Sequence, residues 1–210
     1  MNRIKLIAAV IIILFTAVCL YIYYRSGVRR AVPGIGEPVQ KEASGHYDTM
    51  INGFNVHVNY RYSYDIEALV VHTKSYSGMS LGDRLAPVDA ALAWGQVAAK
   101  NDSIDFHWHQ INRYYMWSVD SYNDIADVGG IDGVSCQSAN NHLIPADKIA
   151  ERQIKRLKRG DHVRIKGYLA DVNATKPDGS YFYWNTSTTR EDTGAGACEL
   201  IYVTDVIMLE

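Results

Sequence analysis

Apolar residues follow three patterns along this chain: one long uninterrupted run, several stretches alternating with polar residues, and one stripe at helical spacing. The run from Leu6 to Tyr24 contains no charge, proline or glycine. A helix of that length spans a hydrocarbon core of roughly 30 Å at roughly 1.5 Å per residue. Tyr21, Tyr23 and Tyr24 crowd its C-terminal end, where aromatic side chains favour lipid headgroups. No small-x-small cleavage site separates the run from Arg25, Arg29 and Arg30. The pattern predicts a retained single-pass transmembrane anchor over residues 1–25, a signal-anchor rather than a removed leader. Arg3 and Lys5 nearly balance the arginines that follow, so orientation rests on the very short basic tail. That tail stays inside and places the rest of the chain outside the cytoplasm, which in a bacterium is the periplasm.

Residues 26–45 hold Gly27, Pro33, Gly34, Gly36 and Pro38 with little periodicity, and read as a linker. Residues 46–210 then form one domain. Phe54, Val56, Val58 and Tyr60 alternate with polar neighbours as a half-buried strand does, and Ile66 to Val71 reads as a more central strand. Ala86 to Ala99 is alanine-rich, with Pro87 and Asp89 suited to a first turn, which predicts a short helix. Ile104, Phe106 and Trp108 share one face of a β-like stretch. Pro145 to Arg159 is a basic helix started by Pro145 or Asp147 and closed by Gly160, with Ile149, Ile154 and Leu157 as its apolar stripe. Val163, Ile165, Gly167 and Leu169 alternate through the best strand, which turns at Lys176–Gly179 and returns over Tyr181 to Trp184. Glu199 to Leu209 is a final strand.

This order is not an alternation of strand and helix, so a doubly wound parallel sheet is excluded. The expected class is α+β, mainly antiparallel β: a transmembrane helix plus a small twisted sheet or OB-like barrel with two attached helices. Length agrees, because about 165 residues suffice for one core. Fifteen tyrosines among 210 residues favour half-buried strand faces. The net charge of −2 gives no reason to expect nucleic acid.

Candidate chemistry is sparse. His107 and His109 lie two apart and would share one strand face, which places two imidazoles within reach of one metal, although no HExxH or CxxC spacing accompanies them. His142, in the polar turn Asn140-Asn141-His142, is a candidate base. Arg190 and Asp192, in a Gly-containing loop, are candidate binding or catalytic partners for it. The plainer account of that loop is an ion pair of Arg190 with Asp192 or with Glu199. Cys136 and Cys198 would close a loop of about sixty residues if an oxidising compartment joined them. No cofactor motif is present.

The segments SANNHLIPAD (Ser138 to Asp147), RGDHVRIKGYL (Arg159 to Leu169) and TREDTGAGACELIYV (Thr189 to Val203) resemble those of functionally uncharacterised bacterial single-pass membrane-anchored proteins. The resemblance covers mainly the C-terminal third and the Asp89-Trp94-Gly95 region, and it implies no reaction, ligand or residue role. Arg159 to Leu169 also resembles the strand after the helix in OB-like barrels. The function expected is a membrane-anchored, non-catalytic envelope protein whose β-rich domain binds a protein partner. The alternative is a membrane-tethered enzyme, a hydrolase, with a His-containing pocket.

Overall fold

The computed structural model describes residues 3–26, 29–191 and 196–210. Along the chain run α1 (Arg3–Ser26), β1 (Val39–Glu42), β2 (His46–Ile51), β3 (Phe54–Ser75), α2 (Leu81–Leu85), β4 (Val88–Ala93) and α3 (Gly95–Ala99). The β5–β6 hairpin follows (His109–Ile111 and Tyr114–Met116), then a 3₁₀ turn (Tyr122–Val128), α4 (Gly130–Cys136) and β7 (Ser138–Pro145). The chain ends with α5 (Lys148–Ile154), β8 (His162–Thr175), β9 (Tyr181–Trp184) and β10 (Glu199–Leu209). The class is α+β, with mainly antiparallel strands in one large sheet.

The transmembrane anchor expected over residues 1–25 is not supported, and with it go the single-pass inner-membrane and periplasmic placements. Among the described residues, no helix is long and apolar enough to cross a membrane. The described apolar side chains of α1 are exposed.

β3 is 22 residues long and organises the sheet. Its first half pairs with β2 and β1, and Asn55 to Leu69 pair with β8. Its last third pairs with β4. Register shifts at Tyr60/Tyr62 and Val70/His72 supply the bends that a strand needs to change partners. β4 pairs with β7, β7 with β10, β10 with β8, and β8 with β3, so five strands close a ring. All of these pairings are antiparallel except β7 with β10, which is parallel. Ile66, Leu69, Leu92, Leu143, Ile165, Leu169, Ile201 and Val203, drawn from all five strands, form the main core. A second cluster packs Val56, Val172, Ile144 and Leu200 against Leu81 and Leu85 of α2 and against Trp184 of β9.

Two segments differ from expectation for one reason. Residues 88–93, expected within a helix, form β4, and residues 138–145, which contain the expected polar turn Asn140-Asn141-His142, form β7. Every residue of β4, and every residue of β7 except Pro145, is buried. A strand covered on both faces has no need to alternate, so its period-2 signature is missing. The expected linker also joins the domain. Val32 and Ile35 are buried in the core, and Val39–Glu42 pairs with β3. The basic helix is shorter than expected, with Asp147 Oδ1 capping it by accepting from Ile149 N at 2.7 Å and Ala150 N at 2.8 Å. Ile154 and Leu157 are buried, but Ile149 points to solvent. The β8–β9 hairpin and β10 lie where the alternation put them.

β8 and β10 approach closely at Gly167, opposite Val203 and beside the register shift at Val203/Asp205. A Cβ there would lie 2.0 Å from Tyr202 O and 3.1 Å from Val203 Cα, both backbone atoms that cannot swing aside. Gly167→Ala is expected to lower stability by about 1–3 kcal/mol, read as an earlier urea midpoint at unchanged slope. An unmoved midpoint would contradict this approach.

Candidate functional site

The tip of the β5–β6 hairpin points at the outer faces of β4 and β7. Ile111 pairs with Tyr114, which leaves Asn112 and Arg113 as a two-residue turn. Both have positive φ, 48° and 72°, as a type I′ turn requires. Asn tolerates that region; Arg does so at a cost, and side-chain contacts hold it there. Arg113 Nη1 donates to Asp89 Oδ1 and to Ala86 O, both at 2.8 Å, and Nη2 donates to Asp83 Oδ1 at 2.7 Å. The guanidinium lies 3.6 Å from the Tyr76 ring centroid and 5.4 Å from that of Trp184. Its backbone N–H donates to Tyr76 Oη at 3.2 Å.

Asp89 is the cross-strand partner of His142 and is fully buried. His142 Nδ1 comes within 2.9 Å of Asp89 Oδ1, but outside hydrogen-bond direction. The contact is therefore electrostatic proximity rather than an aligned bond. Asp89 Oδ2 has no hydrogen-bond partner among the described residues. The His142 ring packs 4.5 Å from Trp184. Asn140, two residues earlier on the same strand face, donates to Arg113 O at 2.9 Å and to Cys198 Sγ at 3.7 Å, and accepts from Gln110. Tyr115 Oη donates to Ser138 O at 3.1 Å. The hairpin is thus stitched to β7 along its length.

This network underlies a cleft of about 800 Å³. Ser80 and the start of α2 supply Ser80 to Asp83, the hairpin Asn112 to Tyr114, β7 His142, β9 and the residue after it Phe182 to Asn185, and the entry to β10 Cys198. A smaller cleft of about 380 Å³ adjoins it, sharing Tyr114 and Cys198. Trp94, Tyr115, Trp117, Arg190 and Glu199 lie around the smaller one. The Ser80 hydroxyl, and then the Arg113 guanidinium, hold the Asp83 carboxyl below the usual range. Burial, and then the neighbouring Asp89 carboxylate, push the Tyr76 phenol up to about 12. Burial alone takes the Tyr64 phenol to about 12, against a small pull from Arg190.

The expected site residues disperse. His142 lies in the larger cleft. Arg190 pairs with the buried Glu199 in the smaller one, which is the Glu199 alternative of the two ion pairs expected. Asp192 lies outside the described residues. His107 and His109 are exposed and do not share a strand face. His107 precedes β5 with φ 42° and sits between Asp105 at 3.6 Å and Asp120 at 3.2 Å. His109 Nδ1 lies 3.2 Å from His107 O. No group of three or more His, Cys, Asp or Glu among the described residues is arranged to hold a metal. Cys136, at the end of α4, and Cys198 are not joined to each other; Cys198 Sγ is turned toward Asn140 and Arg113.

Sequence reasoning missed Arg113, Tyr76 and Trp184, and took Asp89 for a helix-dipole residue. One signal was available. Asp89 is the lone charge in an apolar run from Ala86 to Ala99, and a buried carboxylate requires a cation from elsewhere in the chain.

Asp89→Ala is expected to cost about 3–5 kcal/mol by leaving Arg113 without its buried partner. The Asp89→Ala/Arg113→Ala double variant should cost clearly less than the sum of the two singles in chemical denaturation; strict additivity would mean that the pair is not coupled. Stability should also depend on high pH. Tyr64 and Tyr76 are raised in the folded state, so the unfolded chain loses these protons first, near pH 10. Their contribution is present below pH 10 and is lost as pH rises toward about 12. Denaturation midpoints should fall across that window, and less steeply in Tyr76→Phe.

No family model matches this chain, no curated protein matches it, and no solved structure matches it.

Proposed function

We infer that this chain is a non-catalytic binding module, a barrel of OB type whose larger cleft seats an extended segment of a partner protein. The strand order supports the barrel assignment. Taken in chain order, the ring strands β3, β4, β7, β8 and β10 pair as first–second–third–fifth–fourth–first, the third and fifth parallel, with α5 between the third and fourth. Barrels of this type bind ligands over the second and third strands, flanked by the first–second and fourth–fifth loops. Those are the places of β4 and β7, of residues 76–87, and of the segment that holds β9.

The observation that carries the reading is the open edge of β9. Among the described residues β9 pairs with β8 alone, and Phe182 to Trp184 border the cleft. An unpaired strand edge beside an aromatic-lined cleft suits the addition of an extended peptide, with backbone bonds for affinity and pockets for side chains. Oligonucleotide binding fits less well. Arg113 is the one Lys or Arg among the described residues lining the cleft, and both of its terminal nitrogens are engaged by carboxylates, whereas phosphates need unpaired cations.

A second reading, a hydrolase using His142, draws on the placement of His142 and Cys198 in one cleft above Asp89. It ranks below the first because Asp89 Oδ1 is already committed to Arg113 and the His142 approach is misaligned.

Selection of a random 12-residue displayed-peptide library on the purified chain tests the first reading. Bound peptides should converge on a shared motif. Tyr183→Ala, at an exposed position, and Trp184→Ala should each weaken a selected peptide by about tenfold or more, as loss of an aromatic anchor does. Peptides without a common motif, or affinities indifferent to both changes, would refute peptide binding at this cleft.

A further inference from the structure

The β8–β9 hairpin fixes which backbone groups of β9 face its open edge. Lys176 N donates to Ser180 O at 2.8 Å, and Gly179 N donates to Lys176 O at 3.0 Å. Pro177, Asp178 and Gly179 thus form a three-residue loop closed by the Lys176/Ser180 pair. Gly179 has φ 85°, as the last residue of such a loop requires. Pairs in an antiparallel ladder alternate between bonded and non-bonded. Counted from Lys176/Ser180, Thr175/Tyr181 and Asn173/Tyr183 are non-bonded, and Ala174/Phe182 and Val172/Trp184 are bonded. Phe182 and Trp184 therefore turn their N–H and C=O toward β8. Tyr181 and Tyr183 turn theirs outward, where no strand among the described residues meets them. Side chains divide the same way. Phe182 and Trp184 pack on the second hydrophobic cluster, whereas Tyr181 and Tyr183 are 74% and 66% exposed.

The other edges of the sheet are guarded. β1 carries Lys41 and Glu42, and β2 carries Asp48, charges of the kind that deter pairing with another chain. β9 reads Tyr-Phe-Tyr-Trp, with no charge, proline or register shift. We propose that Tyr181 and Tyr183 are the strand-pairing residues of the cleft, and that they impose a two-residue pattern on the partner segment. Every second residue of that segment turns its N–H and C=O toward Tyr181 and Tyr183, so none of these residues is proline. Their side chains lie over the exposed tyrosine rings, where aromatic and β-branched residues pair best. The intervening residues turn their backbone groups away from β9, accept proline, and place their side chains on the Trp184 face. That face borders the cleft, because Trp184 packs 4.5 Å from His142 and a Cβ on Gly82 would lie 3.6 Å from its ring. Leu81 and Phe182 line the cleft there, and Asp83 and Arg113 are already paired with each other, so these intervening side chains are apolar. The assignment rests on the peptide-binding reading of the larger cleft.

Amide hydrogen exchange on the full ¹⁵N-labelled chain tests it, first alone and then saturated with a synthetic 12-residue peptide from the selection above. In the free chain Phe182 and Trp184 should exchange at least about tenfold more slowly than Tyr181 and Tyr183. The peptide should slow Tyr181 and Tyr183 by about tenfold or more. N-methylation of each peptide residue in turn should weaken binding by about tenfold at alternate positions of the paired stretch, where a backbone bond is lost, and little between them. Three results would each overturn the pairing: Tyr181 and Tyr183 protected like their neighbours in the free chain, no slowing on peptide binding, or N-methyl losses without alternation. If the peptide still binds in those cases, the larger cleft keeps its role. A selection that yields no common motif removes that role and the pairing with it.

Discussion

The guanidinium of Arg113 occupies a place where an unpaired charge is not tolerated, beside a fully buried carboxylate and between two aromatic rings. Removing Arg113 strands the buried Asp89, and removing Asp89 leaves Arg113 with Asp83 as its one carboxylate in a poorly solvated setting, in either case a larger loss than the net value of the pair itself. The pair therefore acts less as a source of stability than as a requirement that the hairpin tip sit in one place. The left-handed conformation of Arg113 belongs to that requirement. The position suits glycine, and arginine is held there because its side chain has three partners to reach.

Much of the candidate face follows from this placement. The hairpin bonds to β7 through Gln110, Arg113 and Tyr115, and so covers a strand that would otherwise present Ser138, Asn140 and His142 to water. On its flanks it leaves the two clefts, with Tyr114 and Cys198 on the shared wall. Trp184 packs against His142 at a tilt and also packs on the second hydrophobic cluster. β9 is thereby tied to the rim by its packing, while its outer edge stays open.

Some of this was legible residue by residue. The alternation of Val163, Ile165, Gly167 and Leu169 marks β8, Lys176–Gly179 its turn, and Asp147 the start of α5, because each is a local pattern with a local cause. Burial was legible even where conformation was not. Ile104, Phe106 and Trp108 are buried and His107 and His109 exposed, as alternation implied, although residues 104–108 are not a strand. The Arg190–Glu199 pair was readable because the loop and the strand that supply it are close in sequence.

What the sequence by itself determined is the set of elements whose environment is one-sided: amphipathic strands, a capped helix, a proline–glycine turn. Only the tertiary structure decided the fate of Ala86–Ala93 and Ser138–Pro145, which are covered on both faces and so lose the period that would reveal them. It likewise decided the site. Asp89 meets Arg113 across 24 residues and His142 across a strand pairing, contacts that no local propensity encodes. The helical run at the N-terminus illustrates the same limit, since apolar composition alone implied a span that the described helix does not supply. Local physics sets which residues want burial; the closing of the ring sets which of them meet.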